Sequence, residues 1–185
     1  MVLKMKKRVR RHGCQCPWNF QQVLSYMIFL ANCSTFYLIE LLCFSSMDYE
    51  HQTVLMALVY TSLALLTAIS TLAATLADPT DETVALQAEC LKRKVSFNSS
   101  KFSYHCILCD SNVMAGSKHC GACNRCTQGF DHHCQMMNNC VGEKNYRQFT
   151  QAVNFATWFC LINLVNAGLT VYDLSQRDGD TIKKI

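Results

Sequence analysis

CILCDSNVMAGSKHCGACNRCTQGFDHHCQMMNNC, residues 106–140, holds seven of the thirteen cysteines and three of the six histidines of this 185-residue chain. The pairs Cys106-x2-Cys109 and Cys120-x2-Cys123, with Cys126 three residues further on, are spacings that present two thiolates to one metal ion. A structural zinc takes four Cys or His ligands and leaves no open position, so two sites consume eight ligands. Cys106, Cys109, His119, Cys120, Cys123, Cys126, His132, His133, Cys134 and Cys140 are ten candidates, and two are therefore left over. The run Asp131-His132-His133-Cys134 places a thiol beside a histidine and a carboxylate, which is a nucleophile, a base and a group that can orient the base. Two other readings use the same residues: a disulfide framework, and a single zinc knuckle with spare buried thiols. The first fits poorly, because no cleavable signal peptide precedes the segment and basic residues flank it, as in a reducing compartment.

Hydrophobic stretches lie on both sides of this polar segment. Half of the residues are hydrophobic, yet the mean hydropathy is only +0.07, as expected when apolar spans are averaged with a charged domain. A bilayer core needs about 20 predominantly apolar residues per helix, and three windows qualify: Val23 to Phe44, Thr53 to Leu76, and Thr150 to Tyr172. Asn154, Asn163 and Asn166 fall in the third, where amides are expected to face the helix bundle. The fold class is therefore an α-helical multi-pass membrane protein with a two-zinc cysteine-rich domain of short strands and loops. The expected organisation is a basic arm (1–22), two transmembrane helices (23–76), the cysteine-rich domain (77–149, core 106–149), a third transmembrane helix (150–172) and a short tail (173–185).

The cations set the orientation. Lys4, Lys6, Lys7, Arg8, Arg10 and Arg11 precede the first window, and Lys92, Arg93, Lys94, Lys101, Lys118, Arg125, Lys144 and Arg147 lie between the second and third. The loop from Ser45 to Gln52 has none. By the positive-inside rule the arm and the cysteine-rich domain are both cytosolic, and the net charge of +4 suits a surface facing anionic headgroups. No nucleic-acid partner is expected, because no aromatic residues interleave the basic arm as a stacking platform requires.

Residues 106 to 149 resemble the cysteine-rich domain of the DHHC protein S-acyltransferases, with every Cys and His step present and Asn145 and Phe149 after Cys140. Asp78-Pro79-Thr80 stands where that family has Asp-Pro-Gly. The resemblance implies one zinc on Cys106, Cys109, His119 and Cys126, and a second on Cys120, Cys123, His133 and Cys140, the two sets interleaving along the chain. His132 and Cys134 are then the free pair, in agreement with the ligand count. It also implies a palmitoyltransferase in which Cys134 is the nucleophile, His132 its base and Asp131 the orienting group, with acyl-CoA (palmitoyl-CoA) as co-substrate and two structural zinc ions. The implied partners are membrane-associated proteins with cytosolic cysteines and the lipid bilayer, at an endomembrane such as ER or Golgi.

Departures from the family pattern suggest a second reading, a zinc-folded membrane adaptor without turnover. Gln135-Met136 replace the usual Pro-Trp, Val113 to Gly116 replace a basic segment expected to meet coenzyme A phosphates, and neither a fourth span nor a Thr-Thr-x-Glu motif is present, as in a truncated form. Asp131, His132 and Cys134 favour the enzyme, since an adaptor needs only the eight ligands. Elsewhere, Glu40 is expected to reach the far interface by snorkelling, Cys14 and Cys16 to be reversible acylation sites beside the basic arm, and His105 to be an incidental neighbour of the first cysteine pair.

Overall fold

A computed structural model describes residues 8–45 and 50–183. Lys4, Lys6 and Lys7 of the basic arm, and residues 46–49 of the cation-free loop, lie outside the described residues. The element order is α1 (Phe20–Thr35), a π-helical turn (Phe36–Glu40), α2 (Leu41–Ser45), α3 (Glu50–Leu76), α4 (Glu82–Arg93), six three-residue strands β1 (Tyr104–Cys106), β2 (Ser111–Val113), β3 (Lys118–Cys120), β4 (Arg125–Thr127), β5 (His132–Cys134) and β6 (Asn139–Val141), and α5 (Tyr146–Lys183). Among the described residues, three helical segments are long and apolar enough to cross a membrane: Phe20–Cys43, His51–Leu76 and Tyr146–Gln176. The last helix continues past the expected Tyr172 boundary to Lys183. The polar residues after Tyr172 include no proline, and nothing local stops the backbone ladder there.

The chain divides into two compact units. One comprises 24–70 and 151–185, the hydrophobic helices. Its core stacks Phe36 on Tyr60 with centroids 3.6 Å apart, and Phe159 sits 4.9 Å from Tyr60. Polar groups link the helices from inside: the Asn163 amide donates to Asn32 Oδ1 at 2.8 Å, and the Tyr60 hydroxyl donates to the Asn32 carbonyl at 3.0 Å. Asn166 is buried as well, whereas Asn154 is exposed, so the expectation that all three asparagines face the bundle fails at Asn154. Glu40 is 2 % exposed and does not snorkel to an interface. It closes the π-helical turn, whose extra residue per turn rotates the side chain inward.

The other unit comprises 1–23 and 71–150. Its strands pair as antiparallel hairpins, β1 with β2, β3 with β4 and β5 with β6, and Thr80 forms a further antiparallel bridge to Thr127 of β4. Strands this short bury little apolar area, and side-chain hydrogen bonds hold the unit instead. Asp81 caps α4 by accepting from the Thr83 and Val84 N–H groups at 2.8 and 3.2 Å. Its second oxygen accepts from Met114 N–H at 2.9 Å and from the Ser117 hydroxyl, which ties α4 to the end of β2. At the other side, the Asn139 amide donates to the carbonyls of Thr75 and Ala77 at 3.1 and 2.9 Å, and Asn145 donates to that of Ala74 at 3.2 Å. The Ala74 and Thr75 carbonyls belong to the last turn of α3, where the helix supplies no partner, and that of Ala77 follows directly after it.

The described part of the basic arm hydrogen-bonds into this unit. Arg10 N–H donates to the Cys123 carbonyl at 2.9 Å, Gly13 N–H to that of Thr75 at 2.8 Å, and the Asn138 amide to Pro17 O at 3.1 Å. A Cβ at Gly13 would stand 1.8 Å from the Met137 carbonyl, so only glycine allows the arm this close to the third hairpin.

Candidate functional site: two Cys/His clusters and a leftover cysteine

Each hairpin repeats one local design. His-Cys pairs stand at 105–106, 119–120 and 133–134, and a residue in the left-handed region ends each four-residue turn: Asp110 (φ 50°), Asn124 (φ 53°) and Asn138 (φ 52°). Asp and Asn tolerate that conformation better than other non-glycine residues. The pattern recurs every fourteen residues. It was readable in the sequence, as HCxxCD, HCxxCN and HCxxMN, and it explains the ligand arithmetic.

In each cluster, the turn of one hairpin supplies two thiols and the next hairpin supplies a histidine and a third thiol. Cys106 and Cys109 of the first meet His119 and Cys126 of the second, and Cys120 and Cys123 of the second meet His133 and Cys140 of the third. Within each set the ligand atoms all lie within 4.8 Å of one another. Register enforces this, since His119 faces Cys126 and His133 faces Cys140 across their ladders. His119 Nδ1 is 3.2 Å from Cys109 Sγ, 3.9 Å from Cys106 Sγ and 4.0 Å from Cys126 Sγ. His133 Nδ1 is 3.7, 3.4 and 3.7 Å from the sulfurs of Cys120, Cys123 and Cys140. Zn–S bonds of about 2.3 Å in a tetrahedron put ligand atoms roughly 3.8 Å apart, so both clusters can hold zinc.

The protonation chemistry of the clusters agrees. Without a cation, hydrogen bonds from Cys123 and Cys140, with His133, hold the Cys120 thiol far below its usual range. The same contact with Cys120 pushes the Cys140 thiol up and raises His133 to about 9. Burial pushes Cys126 up. One thiolate thus forms at its neighbours' expense, and three buried thiolates ionise together only around a divalent cation.

The third hairpin has no successor to supply a histidine and a third thiol, and Met137 takes the place of its second cysteine. Cys134 therefore sits where Cys106 and Cys120 sit in their hairpins, but it belongs to neither cluster. His105, likewise, has no preceding hairpin; its Nε2 lies 3.7 Å from Asp110 and it joins neither set.

Side chains alternate along β5, so His132 and Cys134 share one face while His133 turns to the second cluster. Cys134 is 6 % exposed. His132 Nδ1 is 3.2 Å from Asp131 Oδ2, and its ring packs edge-on against Phe149 with centroids 5.1 Å apart. Asp131, His132 and Cys134 are thus gathered at one edge of the hairpin, with the imidazole braced on two sides.

The structure also supplies a residue that sequence reading gave no special role. Arg125, in β4, is buried with its side chain 1 % exposed. Its guanidinium donates to Asp78 Oδ1 at 2.9 Å, to the Arg11 carbonyl at 2.6 Å and to Asn139 Oδ1 at 2.5 Å. Asp78 of the Asp-Pro-Thr segment therefore anchors the zinc domain through Arg125, which joins the basic arm, the segment after α3 and the third hairpin.

Comparison with curated proteins gave no matching relative. The family model of the DHHC palmitoyltransferases matches residues 99–184, which include every cluster residue, Asp131-His132-His133-Cys134 and α5, and over that stretch the chain is similar to that family.

Proposed function

We propose that the protein is a protein-cysteine S-acyltransferase (palmitoyltransferase) that carries a fatty acyl group from acyl-CoA through acyl-Cys134 to cysteines of membrane-associated proteins. The observation that carries this reading is Cys134 itself. It is the one first-position cysteine of the three hairpins outside both clusters, and it shares a strand face with a carboxylate-braced histidine.

The Asp131 contact at Nδ1 fixes the tautomer and leaves Nε2 of His132 to accept the Cys134 proton. The thiolate attacks the thioester carbonyl, forming the new S–C bond as the coenzyme A sulfur leaves and takes the proton back from His132. A substrate cysteine repeats the exchange and frees Cys134. One thioester replaces another, so the residues act by positioning and by forming the thiolate rather than by supplying driving force. Cys106, Cys109, His119 and Cys126, and Cys120, Cys123, His133 and Cys140, would each hold one zinc ion, which would cross-link the hairpins and serve a structural role. Cys134 stays outside both sets, since a thiolate bound to zinc is a poor nucleophile.

The basic arm and zinc domain face the cytosol, where acyl-CoA and reduced thiols occur, and the protein resides in an endomembrane such as ER or Golgi. Incubating the purified chain with a clickable palmitoyl-CoA should give a label that hydroxylamine removes, as a thioester requires. A label that resists hydroxylamine, or none at all, contradicts the enzyme reading and leaves the adaptor.

A further inference from the structure

The basic arm frames a cavity of about 430 Å³ beside the hairpin that carries Cys134, within the size range of small-molecule sites. Arg8, Arg10 and Trp18 of the arm line it, together with Asn138 from the third hairpin turn. Ala122, in the turn between Cys120 and Cys123, and His133, next to Cys134, line the same space. The two arginines have different roles. Arg10 is built into the frame, its guanidinium donating to Asn138 Oδ1 and to Pro17 O at 2.9 Å, while its backbone N–H holds Cys123 O. Arg8 is exposed, and the Trp18 indole is 64 % exposed.

Two guanidiniums and an aromatic face in one cavity select a ligand that carries phosphate and a flat ring together. The planar guanidinium fork matches phosphate oxygens, and an indole stacks on a nucleobase. The location narrows the choice, since His133 lines the cavity from the face of β5 opposite to Cys134, and a ligand held there reaches the thiol only through a long flexible arm that passes round the strand. Resting on the acyltransferase reading, we propose that Arg8, Arg10 and Trp18 bind the phosphorylated adenosine end of coenzyme A, so that the basic arm supplies in cis the cations for the co-substrate. The flexible pantetheine arm separates that end from the thioester, so the nucleotide is held on the arm while the carbonyl is delivered to Cys134. An anionic phospholipid headgroup offers the same phosphate chemistry but no ring for Trp18.

The probe is adenosine 3′,5′-bisphosphate, titrated against the full chain in zwitterionic nanodiscs. Trp18 fluorescence is the readout in a Trp158→Phe background, Trp158 being the other tryptophan. Saturable quenching is expected. Arg8→Gln should weaken binding roughly tenfold, the low end for a charge-assisted contact because Arg8 is exposed, and Trp18→Leu should weaken binding measured by calorimetry. Both variants should bind zinc like the parent, and Arg8→Gln should raise KM for palmitoyl-CoA by the same factor at unchanged kcat.

Absence of binding, or equal affinity in Arg8→Gln, overturns the proposal. So does attachment only to vesicles containing anionic phospholipid that the bisphosphate cannot displace, which assigns the cavity to a headgroup. Bisphosphate binding as predicted without acyl-enzyme formation keeps the nucleotide site and rejects the acyltransferase. Acyl-enzyme formation with an unchanged KM in Arg8→Gln does the reverse.

Discussion

Replacing Arg125 with methionine keeps most of the side-chain volume and removes the guanidinium that joins three segments of the zinc unit. Hydrogen bonds to a charged group contribute about 1.5–3 kcal/mol each, and Arg125 makes three short ones. Their sum overstates the loss. Asp78 is 42 % exposed, so its share is screened. Arg11 is exposed and its carbonyl can turn to water, while Asn139 Oδ1 keeps the Cys140 N–H at 2.9 Å. Methionine also removes a buried Nε that has no partner. The expected net destabilisation is therefore on the order of 2–4 kcal/mol, below the full cost of breaking a buried ion pair. Unfolding in detergent, followed by zinc release to a chromogenic chelator, measures it, and limited proteolysis should show the basic arm cut earlier than in the parent. Arg125→Lys should fall between the two, because a point charge cannot bridge three acceptors as a planar fork does. A shift under about 0.5 kcal/mol for Arg125→Met would refute the view that this guanidinium organises the unit.

Gly13→Ala should displace the arm, since its Cβ meets the Met137 carbonyl, and the variant should expose the arm to protease while both zinc ions remain. His133→Ala should release about one zinc per chain and destabilise the domain, whereas His132→Ala should keep both and slow acyl-enzyme formation, because the two rings face opposite sides of β5. Equal zinc loss in both would reverse the assignment. Zinc must displace protons from Cys126 and Cys140, whose thiols are pushed up in the metal-free clusters, so apparent affinity should fall as pH falls. Chelator competition across pH checks the direction, and a pH-independent affinity would contradict it.

The clusters were legible because metal coordination is a short-range, ligand-counted rule: Cys-x2-Cys turns gave two four-ligand sites with a surplus of two residues, and it was the resemblance to the DHHC family that named the surplus as His132 and Cys134. The spans were legible because a bilayer fixes their length. What escaped the sequence is what depends on contacts between distant residues. Arg125 reads as one more surface cation, and only the fold brings Asp78, Arg11 and Asn139 around it. The basic arm reads as an electrostatic tether, and only the carbonyls of Thr75 and Cys123 turn it into a strap. Glu40 reads as a snorkelling acid because hydropathy gives depth but not helix phase, and a single π turn changes that phase. The fourteen-residue repeat is a different case. The signal lay in the sequence, obscured by the change from Cys to Met137 and by the interleaving of the clusters, and it accounts for Cys134 as a ligand position without a site.

Zinc content and acyl occupancy measured on the same preparations of parent and Cys134→Ser, after exposure to palmitoyl-CoA, test the central claim most directly. The expected result is about two zinc ions per chain in both, as two four-ligand sites require, with hydroxylamine-sensitive acyl at Cys134 in the parent and none at position 134 in the variant. Loss of one zinc on substitution would make Cys134 a ligand and contradict the account, as would acyl occupancy that maps only to Cys14 or Cys16.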